Sequence, residues 1–375
     1  MNRTVRMIAA VVLCAVGLAP TASAQSSGSY SEEMRRKANT GTVWVISGDM
    51  GSTAFRVATD LAAVLDGEAD LRILPMMGKG SLQNVTDILY LKGVDLGIVQ
   101  SDVLTFVRQQ GLHQAIERRI NYVTPLYSEE LHVVARADVP DLQSLTGRKV
   151  NFGPINGGSY VTASTVFSNL GIAVEVYDDD HALALEKLKR REIDAMVFVT
   201  GKPATLFHDA SLAEGLRLLP VPETAALRQI YQPTEITGED YPRLVLAEKP
   251  IKTLSIGTAL VAFNWKPDTK RYRNIANFID AFFSQIDSLK RPPRHSKWRE
   301  VNIQDELPGW NRFRAAEDWL LENGGEGTMF SYAELRDSFG SFLENEAPRR
   351  GISVDQAKER EMFRTYLHWL KAKKL

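Results

Sequence analysis

Cysteine is all but missing: the only one in 375 residues is Cys14. That excludes a disulfide framework, and it leaves thiolate chemistry a single candidate. A surplus of either charge is missing too, with 45 Lys and Arg against 46 Asp and Glu. The pI near 6.6 gives no footprint for nucleic acid, and no Lys/Arg-rich run stands out. Phosphate loops of the G-x-x-x-x-G-K-[ST] kind, a G-x-G-x-x-G after the first predicted strand and a G-x-S-x-G elbow are all absent. The six histidines, His113, His132, His181, His208, His295 and His368, never fall at metal-ligand spacing. No catalytic residue, metal ligand or cofactor is assigned on these grounds.

The N-terminus has the three parts of a secretory signal. Arg3 and Arg6 supply the charge, Met7 to Leu18 is apolar, and Ala22-Ser23-Ala24 is a small-residue cleavage site. The apolar run is shorter than the ~20 residues that span a bilayer. Leu13 before Cys14 is too bulky for a lipoprotein signal. Residues 1–24 therefore read as a cleavable signal peptide and the mature chain as periplasmic. Cleavage removes the one cysteine and leaves 43 basic against 46 acidic residues. Residues 25–40 are polar and read as a flexible leader.

From residue 41 short apolar runs alternate with helical periodicity. Val43–Ile46 precedes Gly48-Asp49-Met50-Gly51-Ser52-Thr53 and a helix through Phe55, Ala58 and Leu61. Leu71–Leu74 precedes Gly78-Lys79-Gly80-Ser81 and a second helix, and Leu96–Val99 precedes Gln100-Ser101-Asp102 and a third. Tyr122–Arg136 reads as two extended pieces broken at Tyr127–Glu130. The alternation then restarts with Val150–Phe152, the loop Gly153-Pro154-Ile155-Asn156-Gly157-Gly158-Ser159, and a helix from Tyr160. Ile193–Val199 ends at Gly201-Lys202-Pro203. Tyr241–Asn264 reads as extended and Arg273–Ile286 as an amphipathic helix.

This pattern predicts an α/β fold of two lobes, with two parallel or mixed sheets joined by crossing hinge strands and a helical C-terminal appendage. Lobe 1 takes residues 41–136 plus 250–290, lobe 2 takes 137–249, and 291–375 is the appendage. The appendage shows helical patterns at Phe313–Leu321, Tyr332–Leu343 and Val354–Leu370. Its aromatic residues call for burial, either as a buttress on lobe 1 or in a self-association surface.

Ligands of open α/β sheets sit outside the carboxyl ends of the strands. Helix starts there carry unpaired N–H groups and partial positive charge, which suit an acid. Gly51-Ser52 and Gly158-Ser159 stand at such starts, one per lobe. Each alone reads as a helix cap; the pair on opposing lobes points to binding. Asp102 reads as a cap and Gln100 as a ligand contact, with Phe55 and Tyr160 as walls. Lys202 is a partner for a ligand acid, while Arg56 reads as solvated. His132 reads as a packed strand residue and Asp178-Asp179-Asp180 as a solvated helix start rather than a calcium loop.

From Gly41 to Ile286 the chain resembles the TAXI-type solute receptors of tripartite ATP-independent periplasmic (TRAP) transporters, within the type II periplasmic binding fold. The ordered matches are Gly80-Ser81 with Gln83-Asn84, Asp95-Leu96-Gly97-Ile98-Val99-Gln100-Ser101-Asp102, and Leu126-Tyr127 with Leu131-His132-Val133-Val134. Leu145-Thr146-Gly147-Arg148-Lys149-Val150 into Gly153-Pro154, Ile193-Asp194-Ala195 and Gly201-Lys202-Pro203 follow. The family's Gly-Thr-Tyr-Tyr-type first loop is Gly51-Ser52-Thr53-Ala54-Phe55 here, and its Gly-Ser-Gly-Thr-like loop is Asn156-Gly157-Gly158-Ser159. The resemblance implies capture of a small anionic solute, an organic acid or acidic amino acid, and delivery to the membrane permease subunits of a TRAP transporter. It implies no reaction, no cofactor and no nucleic acid. The alternatives are a sensory protein presenting the solute to a membrane receptor or histidine kinase, and an exported enzyme on the same fold.

Overall fold

The computed structural model describes residues 24–207, 215–323, 339–340 and 362–363. Residues 1–23, with most of the expected signal peptide, lie outside them. So do the helical patterns expected at 332–343 and 354–370, apart from two short pieces. In those pieces the rings of Phe339 and Phe363 lie 5.0 Å apart.

The described residues fall into two separate compact units that divide between Thr40 and Gly41. In the first, the expected flexible leader is instead a helix, α1 (Ala24–Asn39). Glu32 four residues before Arg36 is the favourable helix-surface spacing, and no proline interrupts the stretch. Asn39 Nδ2 and Thr40 Oγ1 donate back to the carbonyls of Arg35 and Arg36 and close the last turn.

In the second unit the strands, in chain order, are β1 (Thr42–Ile46), β2 (Arg72–Met76), β3 (Leu96–Gln100), β4 (Ile120–Arg136), β5 (Lys149–Asn151) and β6 (Glu175–Tyr177). β7 (Ala195–Thr200), β8 (Leu216–Leu218), β9 (Gln232–Ile236), β10 (Ile251–Phe263) and β11 (Asn311–Arg312) follow. Between them lie α2 (Thr53–Leu65), α3 (Ser81–Tyr90), α4 (Val103–Gln109), α5 (Ile116–Arg119), α6 (Gly158–Asn169) and α7 (His181–Lys189). After β10 come α8 (Lys270–Ser284), α9 (Ile286–Leu289) and α10 (Arg314–Asn323).

The strands run β2-β1-β3-β10-β4-β7-β5-β6. β2, β1 and β3 are mutually parallel and meet β10 antiparallel. β6, β5 and β7 repeat the arrangement and meet β4 antiparallel. Each half is therefore a β-α-β-α-β unit whose next strand comes from a long segment that also serves the other half. β4 and β10 cross together, pairing from Phe263↔Ile120 to Ser255↔Glu130 with register shifts beside Gly257 and Leu260. The expected two sheets are thus joined through one continuous hydrogen-bonded path.

The predicted break at Tyr127–Glu130 does not occur, because β4 is one seventeen-residue strand. The break is expected at a pair of glutamates, but Glu129 and Glu130 are both buried and both paired. The extended stretch expected from Tyr241 begins only at Ile251; Tyr241–Leu244 forms a turn with Tyr241 buried.

Each half packs apolar layers on both sheet faces. One layer of the first half joins Val43, Val57, Leu61, Ile98 and Val123 to Phe278, Phe282, Trp298 and Phe313. The second half has its own layers, around Val133, Val150, Phe167 and Val197 and around Leu188, Phe198, Phe207 and Tyr241. Within the expected appendage, residues 295–313 are packed into the first half. Trp298 Nε1 and the His295 amide both donate to Asp60 Oδ2, and the Phe313 amide donates to the Tyr122 carbonyl.

Candidate functional site

The carboxyl ends of the parallel strands from both halves point at one cleft. β1 leads through Gly48 and Asp49 to α2, β2 through Lys79 and Gly80 to α3, and β5 through Pro154 and Gly157 to α6. Glu129 of β4 and Thr258 of β10 line the cleft from the crossing strands. The cleft holds a free volume of about 40 Å³. That is room for roughly three waters.

The two walls touch through glycine. Gly80 caps α3 with φ 104°, a left-handed value that suits glycine, and a β-carbon there would stand 2.8 Å from the Gly158 nitrogen. Gly157 caps α6 without a side-chain hydrogen bond, and a β-carbon on it would meet the Lys79 carbonyl. The starts of α3 and α6 therefore meet at the cleft.

The hydroxyls at the helix starts are already engaged. Ser52 accepts from the Phe55 amide as the α2 cap and donates to the Asp49 carbonyl. Ser159 Oγ accepts from the Val199 amide, and Ser81 Oγ accepts from the Gln100 amide. Gln100 Nε2 donates to Glu129 Oε2 at 2.6 Å, and Tyr127 donates to Oε1 of the same carboxyl. Burial pushes Glu129 up to about 7, against the pull of those two hydrogen bonds.

Polar bonds also tie the halves together. The Thr53 amide donates to Thr200 Oγ1 and its hydroxyl to the Gly201 carbonyl. The Gln83 amide donates to the Asn156 carbonyl, and Asn156 sits at φ 67°. Asp102, expected as a side-chain cap, makes no such bond. Its carboxyl instead accepts from Thr162 of α6 and from Tyr231, and burial pushes it up to about 6.

Of the residues singled out from sequence, Gly48, Asp49, Ser52, Gly80, Ser81, Gln100, Gly157, Gly158 and Ser159 line the cavity. The others lie elsewhere. Met50 and Gly51 are exposed, Thr53 is buried beside β7, and Phe55 lies half-buried on α2. Ser101 donates its amide to the Gly257 carbonyl, and Tyr160 packs edge-on against Phe152. Lys202 Nζ is 2.9 Å from Asp240 and donates to the Glu235 carbonyl, away from the lining. Arg56 pairs with Asp60 and Pro293. His132 is fully buried between Tyr241 and the carbonyls of Glu130 and Phe198, and burial pulls it down to about 4. Asp180 caps α7, and Asp179 pairs with Lys187.

Sequence reasoning passed over Lys79, Glu129, Pro154, His181, Phe198 and Thr258, which also line the cavity. Glu129 looked like a break in a strand. His181 follows three aspartates that looked like a solvated helix start. The one usable signal was a lone glutamate pair inside an apolar run.

Two βαβ halves joined by a pair of crossing strands, with opposed helix starts at a shared cleft, define the two-lobed type II fold of periplasmic binding proteins. The chain belongs to the NMT1-like family, whose model matches residues 45–304. It is similar in structure to the periplasmic aliphatic sulphonate binding protein of Escherichia coli, at 15% identity over 68% of this chain and 76% of that one, with a TM-score of 0.41. An amino acid ABC transporter substrate-binding protein of Streptococcus pneumoniae bound to L-arginine matches at 14% identity over 72% and 98%, TM-score 0.43. The periplasmic VFT2 domain of Bordetella pertussis BvgS matches at 14% over 72% and 98%, TM-score 0.41.

Proposed function

We propose that this chain is a periplasmic solute-binding protein of the TAXI type. It captures a small anionic organic solute between its two lobes and delivers it to an ion-gradient-driven TRAP permease, without chemical change to the solute. The observation that carries this reading is the meeting of the α3 and α6 N-termini, one from each half, at Gly80 and Gly158. Two helix starts converging on one cleft favour an acid group there, and closure brings both to it at once. The family match over residues 45–304 supports the solute-binding role, and the N-terminal signal pattern supports export.

Calorimetric titration of the mature chain with succinate, 2-oxoglutarate and L-glutamate tests the reading. Binding of one acid, lost in a folded Gly158→Pro protein, is the expected result, since proline removes an amide donor at the first turn. Unchanged affinity in that variant moves the site elsewhere, and no binding of any acid by the parent chain overturns the anionic reading.

A further inference from the structure

Asp49 and His181 reach each other from opposite halves, Asp49 from the loop after β1 and His181 as the first residue of α7. His181 Nδ1 lies 2.8 Å from Asp49 Oδ2. A carboxylate only accepts, so Nδ1 carries the hydrogen and the ring's orientation is set. The ring is 7% exposed and stacks against Phe198 at 4.0 Å. Its far edge rests on Gly153, where a β-carbon would be 2.6 Å from Nε2, so only glycine leaves room for it.

Nε2 is buried and has no hydrogen-bond partner among the described residues, and the same is true of Asp49 Oδ1. Buried polar atoms are almost always satisfied, and an unmet one is costly to keep. Both residues line the cleft beside Gly158 and Gly80. A solute acid resting on those helix starts supplies the acceptor that Nε2 lacks; Asp49 Oδ1, itself an acceptor, is not met by it.

We propose that His181 is a solute-binding side chain whose Nε2 donates to the solute's acid group, with Asp49 as the positioning residue that fixes the ring once the halves close. With Nδ1–H held by Asp49, a second proton on Nε2 makes the ring a cation between two carboxylates, so neither negative charge is buried alone. This rests on the solute-binding reading above.

The test compares His181→Asn and His181→Gln in the mature chain, titrated with succinate, 2-oxoglutarate and L-glutamate. An asparagine amide takes the place of Nδ1 and keeps the bond to Asp49, but offers nothing at Nε2; a glutamine amide reaches the Nε2 position. The expected result is at least tenfold weaker binding in His181→Asn with an unchanged melting temperature, and a smaller loss in His181→Gln. Parent and His181→Asn binding within twofold of each other overturns this inference alone. If no acid binds the parent chain, the solute reading fails and this inference fails with it. Should His181→Asn not fold, the imidazole ¹⁵N resonances of the parent decide: an Nε2 signal unmoved by a saturating acid overturns the contact.

Discussion

The Glu130 carboxylate and the Lys297 ammonium lie 2.7 Å apart, and each side chain is only 4% exposed. Glu130 also accepts the Lys202 amide at 2.8 Å, and Lys297 also reaches Glu300. Burial raises Glu130 above the ordinary carboxylate range, while Lys297 opposes the rise. Removing one partner strands the other charge in the interior. Lys297→Met should therefore destabilise the protein by about 3–5 kcal/mol, and Lys297→Met with Glu130→Leu should recover most of that. Urea unfolding of the three proteins gives the comparison, and equal stabilities would show that the pair is solvated.

Glu129 supplies a pH test. Its folded value of about 7 lies above the ordinary 4.5, so the native state holds a proton that the unfolded chain has released. Its contribution is therefore greatest below that ordinary value and declines as pH rises toward 7, by on the order of 3 kcal/mol. Glu129→Gln removes the titration. The variant should gain on the parent between pH 5 and pH 8, as read from unfolding free energies at both. His132, pulled down to about 4, acts in the opposite direction but equally in both proteins. A difference independent of pH would mean that Glu129 is already ionised at pH 5.

Gly80→Val should hold the halves apart. The branched side chain meets the Gly158 amide and must also adopt φ 104°, a strain of roughly 1–3 kcal/mol. A larger radius of gyration than the parent in small-angle scattering is expected, with weaker solute binding. Equal radii would show that the walls accommodate the side chain. In the parent chain the hinge is proposed within Leu131–Arg136 and Leu254–Val261, and a saturating acid should keep or increase compaction.

Trp298 tests the buttress. It is fully buried among first-half residues and donates to Asp60 at 3.1 Å. Trp298→Ala should cost about 3–5 kcal/mol, and truncation after Lys290 should lower the melting temperature further. A truncated protein that melts normally would show that the first half stands without its C-terminal packing.

The alternation of β1, β2 and β3 with their helices was legible because each element carries its own period and ends in a Gly/Ser/Asp turn. The nine loop residues at Gly48–Ser52 and Asn156–Ser159 could be placed at strand ends for the same reason, and six of them line the cleft. What stayed hidden depends on distant partners. Glu129 and Glu130 look like surface residues until Gln100, Tyr127 and Lys297 are brought to them. Asp102 looks like a cap until Thr162 and Tyr231, far along the chain, claim its carboxyl. Lys202 has the right charge for a solute acid, and only the fold reveals that Asp240 takes it. His181 was invisible because its meaning lies in Asp49, across the cleft.

β3 ends at Gln100, yet the strand that covers its open edge begins at Ile251. A chain emerging from its N-terminus therefore completes β1, β2 and β3 long before their neighbour exists. Until some 150 further residues follow, the first half keeps an unpaired, wholly buried-type edge, and it cannot close. The topology thus delays stable closure of the first half until nearly the whole binding region has been made.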